Sequence, residues 1–132
     1  MSGSRLKISR TQFTNIRDKA ISAGERSHLS VYDSQFKKIN FALVAKDDSR
    51  IDGSRLAVEE VNHYALMSYS KKPYFGPGSM SVSEFTCSDT GCGQKVVTQI
   101  GSNLLVNGKQ ITPQPLSVKG LYQTVMKSDK PR

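Results

Sequence analysis

The sequence predicts an α+β domain in which an antiparallel β-meander in the C-terminal half packs against two or three helices. Three observations predict it: apolar residues at helical spacing in two early segments, several short β-compatible runs late in the chain, and Asn107-Gly108 between two of those runs. Helices early and strands grouped late suit an antiparallel sheet covered on one face. The element order reads α-β-α-β-β-β-β-α, and no internal repeat is apparent.

Residues 11–23 place Phe13, Ile16, Ala20 and Ile21 at i, i+3, i+7 and i+8, with Thr11 as N-cap and Gly24 as a stop, which predicts an amphipathic helix. From Phe36 onward Ile39, Phe41, Leu43 and Ala45 alternate with Asn40, Ala42 and Val44, as in a mostly buried strand, with a helix through 31–45 as the alternative. Lys46 to Gly53 reads as a polar turn. Ser54 caps a second predicted helix over 54–69, with Ala57, Val58, Val61 and Ala65 on its apolar face and Glu59 and Glu60 favouring the helix dipole. Pro73, Gly76, Pro77 and Gly78 end it in an irregular loop carrying Tyr74 and Phe75. Gly76 to Met80 also has the look of a tag-cleavage joint, although a natural loop accounts for the same residues. Strands follow at Val82 to Thr86, Lys95 to Ile100, Asn103 to Val106 and Lys109 to Thr112, and Asn107-Gly108 supplies the positive φ values of a tight hairpin. Ser117 caps a short C-terminal helix with Val118, Leu121, Tyr122 and Val125 inward.

At 132 residues the chain reads as one domain over 1–132, with flexible basic ends at about 1–9 and 127–132. The longest run free of Asp, Glu, Lys and Arg, Val96 to Gly108, is too short and too polar for a membrane span. No apolar stretch follows the basic residues of Met1 to Arg10, so a cytoplasmic location is expected. Net charge is +8 and sits at the ends: residues 1–26 carry six Lys/Arg against two acids (+4), residues 119–132 four against one (+3), and the middle is left with +1. Two basic ends suit either a footprint for a polyanion or simply solvated termini.

No metal and no cofactor are expected. Cys87 and Cys92 bracket four residues, a spacing open to free thiols, a local disulfide or half a zinc knuckle; free thiols suit a cytoplasmic chain, and His28 and His63 are far off in sequence. No Gly-x-Ser-x-Gly or phosphate-loop pattern is present. The leading expectation is a non-enzymatic binding module for RNA, DNA or an acidic protein surface. Its contacts would come from Arg5, Lys7, Arg10, Lys71, Lys72, Lys119 and Lys127, with Tyr74 and Phe75 stacking. One alternative is a metal-independent toxin-like ribonuclease in which His28 and His63 exchange protons with RNA, helped by Tyr64 or a lysine. A second is an assembly or inhibitor protein that recruits partners along sheet edges. The oligomeric state is not legible from the sequence.

Overall fold

The computed structural model describes residues 4–72 and 75–126. The chain is a β-solenoid, not an α+β meander. Its strands are β1 (Arg5–Ser9), β2 (Gln12–Ala23), β3 (His28–Lys46), β4 (Arg50–Tyr69), β5 (Ser79–Cys87), β6 (Val96–Thr98), β7 (Asn103–Val106) and β8 (Lys109–Gln110). A 3-10 turn at Cys92–Lys95 precedes β6, and the α-helix among the described residues is α1 (Val118–Gln123).

The strands pair in parallel, one coil upon the next. Both β1 and β2 pair with β3, β3 with β4, β4 with β5 and β6, and β5 with β7; the antiparallel exception is β7 with β8. Gln12 lies beside Gln35 and His28 beside Arg50, so the chain repeats every 22 or 23 residues. The third coil is longer, Arg50 pairing with Ser79, because it carries the loop through Gly76 and Gly78.

Each coil has three faces separated by corners at which non-glycine residues take positive φ. Arg10, Asp33, Arg55 and Glu84 (φ 48, 51, 55 and 50) occupy the first corner, and Asn15, Lys38 and Glu60 (φ 56, 58 and 56) the second. At the third corner Glu25-Arg26 and Asp47-Asp48 are both left-handed. A single left-handed residue redirects the chain without breaking the ladder on either side, at a local cost of about 1–3 kcal/mol that the stacked neighbours must offset.

The corners also explain the two helices that do not form. Residues 11–23 and 54–69, expected as helices, lie in β2 and β4. Phe13 and Ile16 both point inward because left-handed Asn15 between them shifts the alternation by one, and Val58 and Val61 do the same around Glu60. Strand–corner–strand thus reproduces the i, i+3 spacing of a helix face. Other elements agree more closely with expectation: residues 36–45 lie in β3, Asn107 (φ 50) and Gly108 (φ 79) turn the β7–β8 hairpin, and Ser117 caps α1 by accepting the Gly120 N–H at 3.2 Å. Arg5–Ser9, expected in a flexible end, forms β1, while 127–132 lie outside the described residues.

Inside the solenoid, equivalent residues stack into apolar columns. Leu6, Leu29, Ile51, Met80 and Leu104 form one; Phe13, Phe36, Val58 and Cys87 another; Ile21, Leu43, Leu66 and Val96 a third. Phe13 and Phe36 stack with ring centres 4.9 Å apart. The Gly76-Pro77-Gly78 loop is integral to the third corner: Asp48 N–H donates to the Gly76 and Pro77 carbonyls, and Gly78 passes so close to Ala45 that a Cβ there would lie 2.0 Å from its carbonyl oxygen. A second apolar cluster lies outside the coil wall. Phe41, Val44, Met67, Tyr69 and Val97 face outward on the third face, and the segment around α1 covers them with Leu116, Leu121, Tyr122 and Met126.

Two substitutions test this architecture. Phe36→Ala, which opens a void in an aromatic column, is expected to lower the unfolding free energy by about 3–5 kcal/mol in a denaturant titration. Lys38→Val is expected to cost about 1–3 kcal/mol while Lys38→Gly costs far less, because only glycine accepts the left-handed corner without strain.

Candidate functional site at the solenoid ends

The two ends of the stack differ. At the C-terminal end, several edge backbone groups are met by partners. β8 covers part of β7, and Ile111 N–H donates to Leu104. The Asn107 side chain stands in for the next coil, accepting the Phe85 N–H at 2.8 Å and donating to its carbonyl at 3.0 Å. The Asp89 carboxylate takes the N–H groups of Glu60 and Val61, each at 2.7 Å, and Lys95 Nζ at 3.3 Å. Gln114 bridges the edge of β6, accepting from Ile100 and donating to Thr98.

At the N-terminal end the Thr11 hydroxyl donates to the Ser9 carbonyl at 2.9 Å, but no strand or side chain from elsewhere in the fold covers the edge among the described residues. Both β1 and β2 pair with β3 alone, so one side of each strand has no ladder partner. On the first and second faces the apolar columns end uncovered there: Leu6 is 42% exposed, and Ile8, Phe13 and Ile16 are half-buried, whereas their neighbours Leu29, Val31, Phe36 and Ile39 are buried; on the third face Ile21 and Ala23 stay buried. A parallel edge of this kind invites pairing with another strand.

Cations line one side of this end. Arg5, Lys7 and Arg10 lie on the first face and first corner of the first coil, and none is in an ion pair among the described residues. Lys7 Nζ sits 5.5 Å from the centre of the Tyr32 ring. The other expected contact residues are elsewhere. Lys71 lies 4.1 Å from the centre of the Tyr122 ring on the third face, Lys72 pairs with Glu25, and Phe75 lies beneath the Arg26 guanidinium. Lys119 is exposed on α1, and Tyr74 and Lys127 fall outside the described residues. The structure therefore brings Arg5, Lys7 and Arg10 together and leaves Lys71, Lys72 and Lys119 apart from them.

Nor do the histidines meet. His28 opens the first face of its coil, with Nε2 2.8 Å from Asp52, which also accepts from Arg50. His63 lies past the second corner of the following coil, its ring 5.4 Å from that of Phe41. Burial alone would raise the Asp52 carboxyl, but hydrogen bonds from Arg50 and His28 hold it below its ordinary value. At Asp89 burial likewise pushes upward and is outweighed by the Val61 and Glu60 N–H groups and by Lys95. On the third face burial and the nearby Lys71 and Lys19 charges push the Lys46 ammonium down, and Tyr122 bridges Lys46 (3.2 Å) to Tyr69 (2.7 Å). These two phenols are both held above their usual value, chiefly by burial. Cys87 and Cys92, expected as free thiols, form a disulfide that closes the loop holding Asp89. No group of three His, Cys, Asp or Glu suited to a metal occurs among the described residues, and no described helix is long and apolar enough to cross a membrane.

The class these features define is a short β-solenoid with one capped end and one open end. Comparison of the chain with known protein families, with curated proteins and with solved structures finds no match in any of the three.

The capped end can be tested through Asp89. Because its carboxyl is depressed in the fold, the stability it contributes is present above the ordinary carboxylate pKa of about 4 and is lost as pH falls through the lower folded value. Asp89→Asn is expected to be less stable than the parent near pH 7, with a shallower decline in thermal midpoint as the pH is taken below about 4. Cys87→Ser is expected to lower stability by about 2 kcal/mol under oxidising conditions, the loop-closure term for so short a loop, with no effect once the parent is reduced.

Proposed function

We propose that this chain is a binding module that receives an acidic protein element at the open end of its solenoid, by strand addition to β1 and β2. The observation that carries the reading is the asymmetry of the ends: one is closed by dedicated side-chain caps, while the other leaves an unpaired parallel edge, half-exposed Leu6, Ile8, Phe13 and Ile16, and three cations without ion pairs among the described residues. Main-chain hydrogen bonds along such an edge give affinity, and the apolar column ends give side-chain pockets. Arg5, Lys7 and Arg10 favour a partner of opposite charge and speed its encounter. They also disfavour a second copy stacked end to end in the same way, since that would oppose cation to cation.

Selection of displayed peptides of roughly 24 residues, about one coil, against the whole chain tests this reading. Enriched peptides are expected to be acidic, to lose binding to a Leu6→Glu/Ile16→Glu variant, and to keep binding to an Ile100→Glu variant at the capped end. Peptides that bind all three proteins equally would overturn it.

The same cations support a second reading, a polyanion held by backbone charge alone. Among the described rings near them, Tyr32 is already covered by Lys7 and half-buried Phe13 is stacked on Phe36, which leaves little for base stacking. For labelled single-stranded RNA, Arg5→Glu/Lys7→Glu/Arg10→Glu is expected to reduce the slope of log affinity against log salt by about 2, three contacts at roughly 0.7 each. Binding insensitive to salt, or unchanged in the triple variant, removes this reading.

A further inference from the structure

The first corner carries a charge ladder. Arg10, Asp33, Arg55 and Glu84 occupy equivalent positions in successive coils, fixed by the flanking register of Ser9 with Tyr32, Ser54 with Ser83, and Leu56 with Phe85. The signs alternate without exception along these four. Arg55 holds Asp33 through Nε and through Nη2, the latter at 3.3 Å. Its hydrogen bond is the main reason the Asp33 carboxyl lies below its usual value, with the Arg10 charge adding to the effect from the other side. The Glu84 charge in turn helps hold Arg55 protonated, after the larger effect of Asp33. The ladder stops where Asn107, neutral and also left-handed, folds its amide back onto Phe85 as a cap. At the open end it stops on a cation with nothing beyond it among the described residues.

Resting on the reading of the open end as a receptor, we infer that its occupant is a further β-solenoid coil whose first-corner residue is an aspartate or glutamate in the left-handed conformation, seated over Arg10. The columns fix the rest of its pattern relative to that acid. Inward apolar residues fall four and two positions before the corner and three and six positions after it, as Leu6, Ile8, Phe13 and Ile16 do around Arg10 and Leu29, Val31, Phe36 and Ile39 around Asp33. The occupant therefore reads apolar-x-apolar-x-acid-x-x-apolar-x-x-apolar. The residue before its first strand presents a backbone carbonyl at the third corner, as Ser4, Ser27 and Ser49 do in accepting in turn from the N–H groups of His28, Arg50 and Ser79.

The second coil of this chain fits the pattern and serves as the probe. A copy of residues 28–48 is joined directly ahead of Ser4, in place of residues 1–3, which sets a second copy of Asp33 over Arg10. Amide hydrogen exchange is then compared for three chains: this one, the same chain with the added aspartate changed to lysine, and one with the added segment in scrambled order. Exchange in β1 and β2 is expected to slow by about tenfold or more with the aspartate copy, by clearly less with the lysine, and not at all with the scrambled segment. Equal slowing with aspartate and lysine would overturn the corner-charge inference while leaving the open end as a receptor. No slowing in any chain, or equal slowing with the scrambled segment, would overturn both.

Discussion

Everything in this molecule depends on parallel backbone pairing between coils that turn at the same places. A ladder holds only while each coil presents its N–H and C=O groups at the same heights as its neighbours, and the left-handed residues at the corners enforce that coincidence. Arginine, aspartate, lysine and glutamate take these positions, not glycine, so backbone strain is accepted at the corner in exchange for a side chain that bonds along the stack. Asp33 and Arg55 are the clearest case: both strained, both paired across coils.

The same dependence makes the ends the chemically distinctive parts. An interior coil satisfies its edges from both sides, whereas a terminal one must be capped or must meet a partner. Here the cap is assembled from two side chains that imitate a backbone, the Asn107 amide and the Asp89 carboxylate pinned by a disulfide, and from the backbone of Gln114 beside β6. The outer wall of the third face is closed differently, by laying α1 and its flanking residues over Phe41, Val44, Met67 and Tyr69. The open edge of the first coil receives no such cover from elsewhere in the fold among the described residues, and the proposed function follows from that contrast.

Much of the local structure was legible in residue order. The β7–β8 hairpin, the strand through 36–45 and the cap at Ser117 follow from turn chemistry, alternation and capping that act within a few residues. The repeat was also present, in Leu6-x-Ile8-x-Arg10 through Ile16, again in Leu29-x-Val31-x-Asp33 through Ile39, and more loosely in Ile51 through Val61. Its spacing of 22 or 23 residues would have identified a solenoid, but the i, i+3 intervals at Phe13/Ile16 and Val58/Val61 suggested helices. Of the expected contact residues, Arg5, Lys7 and Arg10 stand together because they share one coil. Lys71, Lys72 and Phe75 are instead engaged by Tyr122, Glu25 and Arg26, partners that only folding brings near.

The sequence by itself determined the hairpin, the strand through 36–45, the final helix and the excess of positive charge, the first three set by neighbours a few residues apart. Tertiary structure alone decided which corner residues meet, that Cys87 and Cys92 join, and that one end is closed while the other stays open. Those outcomes depend on how one coil lies upon the next. Stacking brings together residues separated by a full coil, and for such pairs neither local propensity nor hydrophobic spacing carries information.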